Sequence, residues 1–157
     1  MAEPTVIHST FVLERSFSVS PERVFAAFAD PAKKRRWFAA GGSSTVEHYE
    51  LDFRVGGKEK VDSRLGPGTP VSGLVCTNDT TYEVIVPDRR IVFAGTVSLE
   101  GRVFSASLGT VELLPNGTGT DLIFTYQSAF FEGADGPAMR EAGWRSLFDK
   151  LAEELAQ

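Results

Sequence analysis

Only one cysteine, Cys76, and two histidines, His8 and His48, occur in this chain of 157 residues. A lone cysteine excludes an internal disulfide and a cysteine-built metal cluster. Two histidines leave little for a histidine-built zinc site, so neither a metal nor a cofactor is expected. Positive charge is scarce: 16 Lys and Arg stand against 21 Asp and Glu, a formal net charge of -5. That balance favours solubility and is the opposite of a basic nucleic-acid footprint, so no nucleic-acid partner is expected. No run of about 18 apolar residues exists, which excludes a membrane-spanning helix. The opening Met-Ala-Glu-Pro-Thr lacks the positive-then-apolar pattern of a signal peptide, and a cytoplasmic protein is the expectation. No glycine-rich loop leads to Lys-Ser/Thr, and neither histidine stands near a G-x-S-x-G motif. Phosphate cradling of the P-loop kind and a nucleophilic triad therefore find no support.

What is present is an ordinary globular balance, with 42% hydrophobic and 24% charged residues, over a length that suits one domain. We expect a single domain over 1–157 with its core from about residue 8 to 155. From His8 to Val19 apolar residues alternate, with Phe11, Leu13, Phe17 and Val19 on one face, the mark of a half-buried strand. Ser20-Pro21-Glu22 is a helix start: a side-chain cap followed by a proline in the first turn. Asp30-Pro31 repeats that signal for a second short helix ending near Trp37-Phe38, and Gly41–Ser44 reads as a loop. Residues 46–55 read as a strand carrying Tyr49, Leu51, Phe53 and Val55 on one face. Gly56-Gly57 predicts a two-residue hairpin into a returning strand over 58–65. Gly66-Pro67-Gly68 breaks the chain, and strands are expected over 73–86, 90–99, 102–114 and 120–128, separated by short turn sequences. Residues 137–156 place Gly143, Leu147, Leu151, Trp144, Leu155 and Phe148 in one arc at 100° per residue, an amphipathic helix started by Pro137. Helices segregated from an antiparallel meander make an α+β protein whose sheet would curl around the long helix.

Several of these segments resemble a known family. Arg15-Ser16-Phe17, Ser20–Phe25, Asp30-Pro31 and Arg36-Trp37-Phe38 are similar to the opening of the heat-shock chaperone ATPase activator homologue (AHSA-like) family. That family belongs to the START-like, or polyketide cyclase-like (SRPBCC), superfamily. Asp52–Gly57, Val86–Phe93, Gly119–Leu122 and Gly143–Leu151 resemble its later signatures in the same order. The resemblance implies a helix-grip fold: a curved antiparallel sheet wrapped on a long C-terminal helix, with an apolar cavity between them. The first expectation is binding of a small apolar or aromatic ligand in that cavity, an anionic head being one form. Two alternatives are a cyclase/dehydratase- or hydrolase-like enzyme using the same cavity, and an interaction module docking on a chaperone. Monomer and homodimer are both open.

The helix arc and this resemblance together predict a cavity wall of Met139, Gly143, Leu147 and Leu151, with Trp144 and Phe148 at its flank. Around the mouth we expect Tyr126, Phe130, Phe131 and Arg140, since Gly133 and Gly136 bracket a segment free to fold over as a lid. Arg15 interrupts an apolar strand face and Arg140 an apolar helix arc. A buried guanidinium must pair with an acid or meet an anionic ligand, and Glu132 and Asp135 are the acids near Arg140. Glu59, Glu83, Tyr82, Tyr126 and Arg140 are the titratable candidates for catalysis, assembled by no motif. Lys33-Lys34-Arg35-Arg36 reads as the solvated face of a short helix. Asn78-Asp79-Thr80 and Asn116-Gly117-Thr118 read as turns, and Glu50, Asp52 and Arg54 as a surface ion-pair ladder on one strand face.

Overall fold

The period-two segments pair into one seven-stranded antiparallel sheet in the computed structural model, which describes residues 2–40 and 42–157. The strands are β1 (Ile7–Phe17), β2 (Thr45–Leu51), β3 (Lys58–Arg64), β4 (Val75–Val86), β5 (Arg90–Leu99), β6 (Arg102–Asn116) and β7 (Gly119–Phe130). Three helices accompany them: α1 (Pro21–Ala29), α2 (Pro31–Lys34), which runs on into a π-helical turn over Arg35–Ala39, and α3 (Pro137–Leu155). Met1 and Gly41, the latter part of the loop expected over Gly41–Ser44, lie outside the described residues.

The sheet order is β1-β7-β6-β5-β4-β3-β2. The chain therefore leaves β1 at one edge, crosses through α1 and α2 to the far edge, and meanders back until β7 pairs with β1. Register shifts at Val46/His48, Tyr82/Val84 and Val97/Ser98 add local bends, and such bulges raise the twist of a sheet. The result is a helix-grip architecture, a curved open sheet with α3 packed on one face.

Local chemistry explains the helix starts. The Ser20 side chain accepts from the Arg23 N–H, and Asp30 Oδ1 accepts from Ala32 N at 2.9 Å and Lys33 N at 3.1 Å. Both acceptors satisfy donors that a helix N-terminus leaves free. Leu13, Val24, Val111, Leu122, Phe124, Phe148 and Leu151 are buried at the centre of the core, each contributing roughly 1.5–3 kcal/mol by leaving water. Trp37 packs against Phe28 and Phe148, and its indole N–H donates to Ala27 O at 2.8 Å.

Polar ties hold α3 in place. Arg15 donates to Asp149 Oδ1 at 2.7 Å, Arg36 pairs with Glu154, and Arg23 donates to Leu155 O at 3.1 Å. Arg15 is thus a strand-to-helix clasp with no place at the cavity wall. Among the described residues no helix is long and apolar enough to cross a membrane.

Four local expectations need correction. The strand expected over 46–55 stops at Leu51, because Phe53 turns away to pack edge-on against Phe25 and Tyr82. The Asp52–Arg54 ion pair, at 2.8 Å, is therefore a loop contact rather than a rung on a strand. Residues 52–57 replace the two-residue hairpin: a Cβ on Gly57 would overlap the Asp52 carbonyl, so the chain closes on itself there. Asn78-Asp79-Thr80 is no turn. It lies inside β4, with Asn78 opposite Val61 on one side and Val97 on the other.

Candidate functional site

Alternation along the strands points one row of side chains toward α3, and there the sheet and helix stand apart. The space is a cavity of about 620 Å³. Its sheet wall is Cys76 and Asn78 of β4, Val97 and Leu99 of β5, Phe104 of β6 and Tyr126 of β7. Its helix wall is Gly143, Trp144 and Leu147, with Phe38 closing one end. Leu65 and Val71 from the β3–β4 connection, and Gly133 to Asp135 before α3, complete the lining.

Helix α3 divides its apolar arc between two tasks. Trp144, Phe148, Leu151 and Leu155 are buried in the core, while Gly143 and Leu147 face the cavity and Arg145 and Asp149 face solvent. A Cβ built on Gly143 meets nothing within 4 Å. A mid-helix glycine costs roughly 0.5–1 kcal/mol relative to alanine, and this one is both exposed and among the lining residues.

The expected site residues separate accordingly. Tyr126, Met139, Arg140, Gly143 and Leu147 line the cavity, with Met139 68% exposed. Leu151 does not line it: α3 advances one turn beyond Leu147, and Leu151 is sealed in the core. Phe130 is also off the wall. It is buried, and its ring centroid lies 5.1 Å from Arg140 Cζ, so it is a shelf beneath the guanidinium. Phe131 is half-buried outside the lining, because its N–H is bonded to Phe104 O and its side chain alternates away from Phe130.

Arg140 is matched by protein groups. It donates from Nε and Nη2 to the two Asp135 oxygens at 2.9 and 2.8 Å, from Nη1 to Tyr126 Oη at 2.9 Å, and from Nη2 to Ser105 Oγ at 3.0 Å. Burial pulls its pKa down, but the bonds and charges of Asp135 and Tyr126 outweigh that and raise it. The guanidinium is permanently charged and already paired, so an anion has no free cation to meet at this wall.

A second chamber of about 40 Å³ abuts the first, and the two share Phe38, Asn78, Val97, Tyr126 and Trp144. At its wall lie Lys34 and Glu59, 5% and 3% exposed. Lys34 Nζ donates to Glu59 Oε1 at 2.9 Å and to Tyr82 Oη at 3.4 Å. Tyr82 donates to Glu59 Oε1 at 2.9 Å, and Tyr49 donates to Glu59 Oε2 at 2.8 Å. Burial, then the Glu59 charge, pushes both phenols far above the usual tyrosine range, so they remain neutral donors. The ammonium also lies 4.4 Å from the Phe38 ring centroid, a favourable cation–π distance.

Residues 18–156 match the Activator of Hsp90 ATPase homolog 1-like protein family. The chain belongs to that family. Among solved structures it is similar to the Mll3558 protein from Rhizobium loti, with 44% identity, a TM-score of 0.84 and coverage of 96% of this chain and 99% of that one. An uncharacterized protein from Rhizobium leguminosarum has 36% identity, a TM-score of 0.87 and 96% coverage of each chain. Protein CV1439 from Chromobacterium violaceum has 27% identity and a TM-score of 0.77, covering 94% of this chain and 97% of that one. No curated protein matches the sequence.

In this Activator of Hsp90 ATPase homolog 1-like chain, the inner chamber is where the sequence reading needs most correction. Lys34 is not on a solvated face; it is buried while Lys33, Arg35 and Arg36 are exposed. The signal was in the spacing. Lys34, Trp37 and Phe38 stand at i, i+3 and i+4, which share one helix face, and Trp37 is 1% exposed. Glu59 likewise alternates in phase with the buried Val61, while Lys58 is exposed. Phe104 and Asn78 were missed for a different reason: only the pairing of β4, β5 and β6 puts them on one wall.

Proposed function

We propose that this protein binds one small, neutral, largely apolar molecule in the cavity beneath α3, with aromatic compounds the best fit. The carrying observation is the cavity itself: about 620 Å³, within the range of small-molecule sites, with a glycine among the helix residues that line it. Aromatic surface from Phe38, Phe104 and Trp144 suits planar apolar ligands. Each cation at the walls faces its own carboxylate, Arg140 with Asp135 and Lys34 with Glu59. That neutrality favours an uncharged ligand over an anionic one.

Binding is favoured over catalysis because the cavity thiol and the two tyrosines bonded to Glu59 are pushed away from neutral pH. Burial raises the Cys76 thiol and the phenols of Tyr49 and Tyr82, whereas general acid–base work needs pKa values near the operating pH. An open cavity also supports ligand binding over a role confined to docking on a chaperone. The single free thiol fits a cytoplasmic setting.

The test is a titration with N-phenyl-1-naphthylamine, a neutral dye whose emission rises in apolar surroundings. One saturable site is expected. Cys76→Phe, which fills the cavity from β4, should abolish it. Undiminished dye binding by a folded Cys76→Phe variant would sink the reading.

A further inference from the structure

We propose that the inner chamber is a carbonyl-recognition pocket, in which Lys34 donates a hydrogen bond to the oxygen of an aromatic ketone whose ring system fills the main cavity. The inference rests on the binding reading above and specifies its ligand class.

Three observations carry it. The first is space. The chamber, about 40 Å³, holds roughly one water-sized group, so it admits a single projecting atom and not a ring or a chain. It abuts the main cavity, with which it shares Phe38, Asn78, Val97, Tyr126 and Trp144 as lining. A group reaching it would project from whatever occupies the larger space.

The second is the donor count. An ammonium has three N–H bonds. Among the described residues Lys34 directs one to Glu59 and a long one, at 3.4 Å, to Tyr82. One donor remains on a side chain that is 5% exposed and belongs to the chamber lining, its ammonium 4.4 Å from the ring centroid of Phe38, another lining residue.

The third is the acceptor count. Glu59 Oε1 accepts from Lys34 and Tyr82, and Oε2 accepts from Tyr49. Oε1 is thus filled and Oε2 keeps one of the carboxylate's roughly four acceptor positions, and both phenol protons are committed to the carboxylate. A ligand hydroxyl would have only that last position to donate to, on the oxygen that accepts from Tyr49 and not from Lys34. A ligand carboxylate would place negative charge against Glu59. A carbonyl oxygen accepts, carries no charge and has the size of the chamber.

The experiment uses three naphthalenes of one shape: 2-acetylnaphthalene, 2-isopropenylnaphthalene, in which a methylene replaces the carbonyl oxygen, and 1-(2-naphthyl)ethanol. Affinity is read from quenching of tryptophan fluorescence, Trp144 lying on the walls of both spaces. The ketone should bind about tenfold more tightly than the alkene, the size a charge-assisted hydrogen bond supplies, and more tightly than the alcohol. Lys34→Met should erase that preference. Because Lys34→Met strands the Glu59 charge, the Lys34→Met, Glu59→Gln pair is measured beside it. A third readout needs no variant: the carbonyl stretch of carbon-13-labelled ketone should fall in frequency on binding to the wild-type protein. If all three compounds bind alike and the stretch does not fall, the carbonyl pocket is overturned while the cavity reading stands. Equal binding of alcohol and ketone also overturns it. If none of the three binds the wild-type protein, the cavity reading fails and takes this inference with it.

Discussion

Lys34 Nζ lies 2.9 Å from Glu59 Oε1 with the two side chains only 7% and 4% exposed. The pair joins the helical crossover to the strand beside the sheet's far edge, and it places full charges where water scarcely reaches. Such a pair adds little net stability over apolar residues of the same shape, but breaking it on one side is costly.

Lys34→Met should therefore destabilise the protein by about 3–5 kcal/mol, because a buried carboxylate loses its counter-ion. Adding Glu59→Leu should return most of that loss. Urea denaturation of the two variants beside the wild type measures both steps. If the single and double variants lose equal stability, the cost lies in lost packing rather than in the stranded charge.

Replacing Asp135 by Asn should change which dye the cavity prefers. With Asp135 present, Arg140 is matched at 2.8 Å. N-phenyl-1-naphthylamine should then bind at least as tightly as its sulfonated relative, 1-anilinonaphthalene-8-sulfonate. Asp135→Asn leaves the guanidinium uncompensated, and the sulfonated dye should gain several-fold while the neutral one is unchanged. No gain for the anion would show that Arg140 is out of a ligand's reach.

Gly143→Leu should separate stability from binding. A Cβ there meets open space, and leucine in a helix interior is better than glycine by roughly 0.5–1 kcal/mol. Thermal unfolding should move upward while affinity for N-phenyl-1-naphthylamine falls at least tenfold. A variant that is both less stable and unaltered in binding would mean that Gly143 does not face the cavity.

Stability should fall at alkaline pH through Tyr49 and Tyr82. Both phenols are pushed up in the folded protein, by burial first and by the Glu59 charge next. Unfolded tyrosine ionises near pH 10 or so. A raised folded pKa makes a contribution that is fully present below the unfolded value and is lost as pH rises toward the folded one. Unfolding midpoints in urea should hold to about pH 10 and then decline, and Tyr49→Phe should make the decline shallower. An identical slope in Tyr49→Phe would remove Tyr49 from the account.

The elements themselves were legible in the residues. Alternation at Phe11, Leu13 and Phe17 marks β1, and Ser20-Pro21 and Asp30-Pro31 mark the helix starts within a residue. Where reading failed locally, a contact distant in sequence had overridden a local signal. Phe53 leaves its expected strand for Phe25 and Tyr82. Asn78 has a turn-former's chemistry but is held extended by strands on both sides.

The cavity was legible only in part, and the division follows from what each signal depends on. Helix phase is a property of 19 consecutive residues, so the exposed positions of α3 and its inward arc follow from spacing alone. How that arc splits between core and cavity depends on where the sheet bends away from the helix, and no local pattern encodes it. Leu147 and Leu151 are equivalent in the sequence, one turn apart, yet one lines the cavity and the other is sealed beneath it. Charge pairing divides in the same way. Arg140 and Asp135 are five residues apart, close enough for the acid to be named beforehand. Lys34 and Glu59 are 25 apart, and they meet only because the crossover carries α2 to the side of the sheet where β3 lies next to the edge strand. The sequence determined that a lysine and a glutamate would each share a face with apolar neighbours. Only the closed fold decided that these two faces are the same interior, because burying either charge alone costs more than the packing returns.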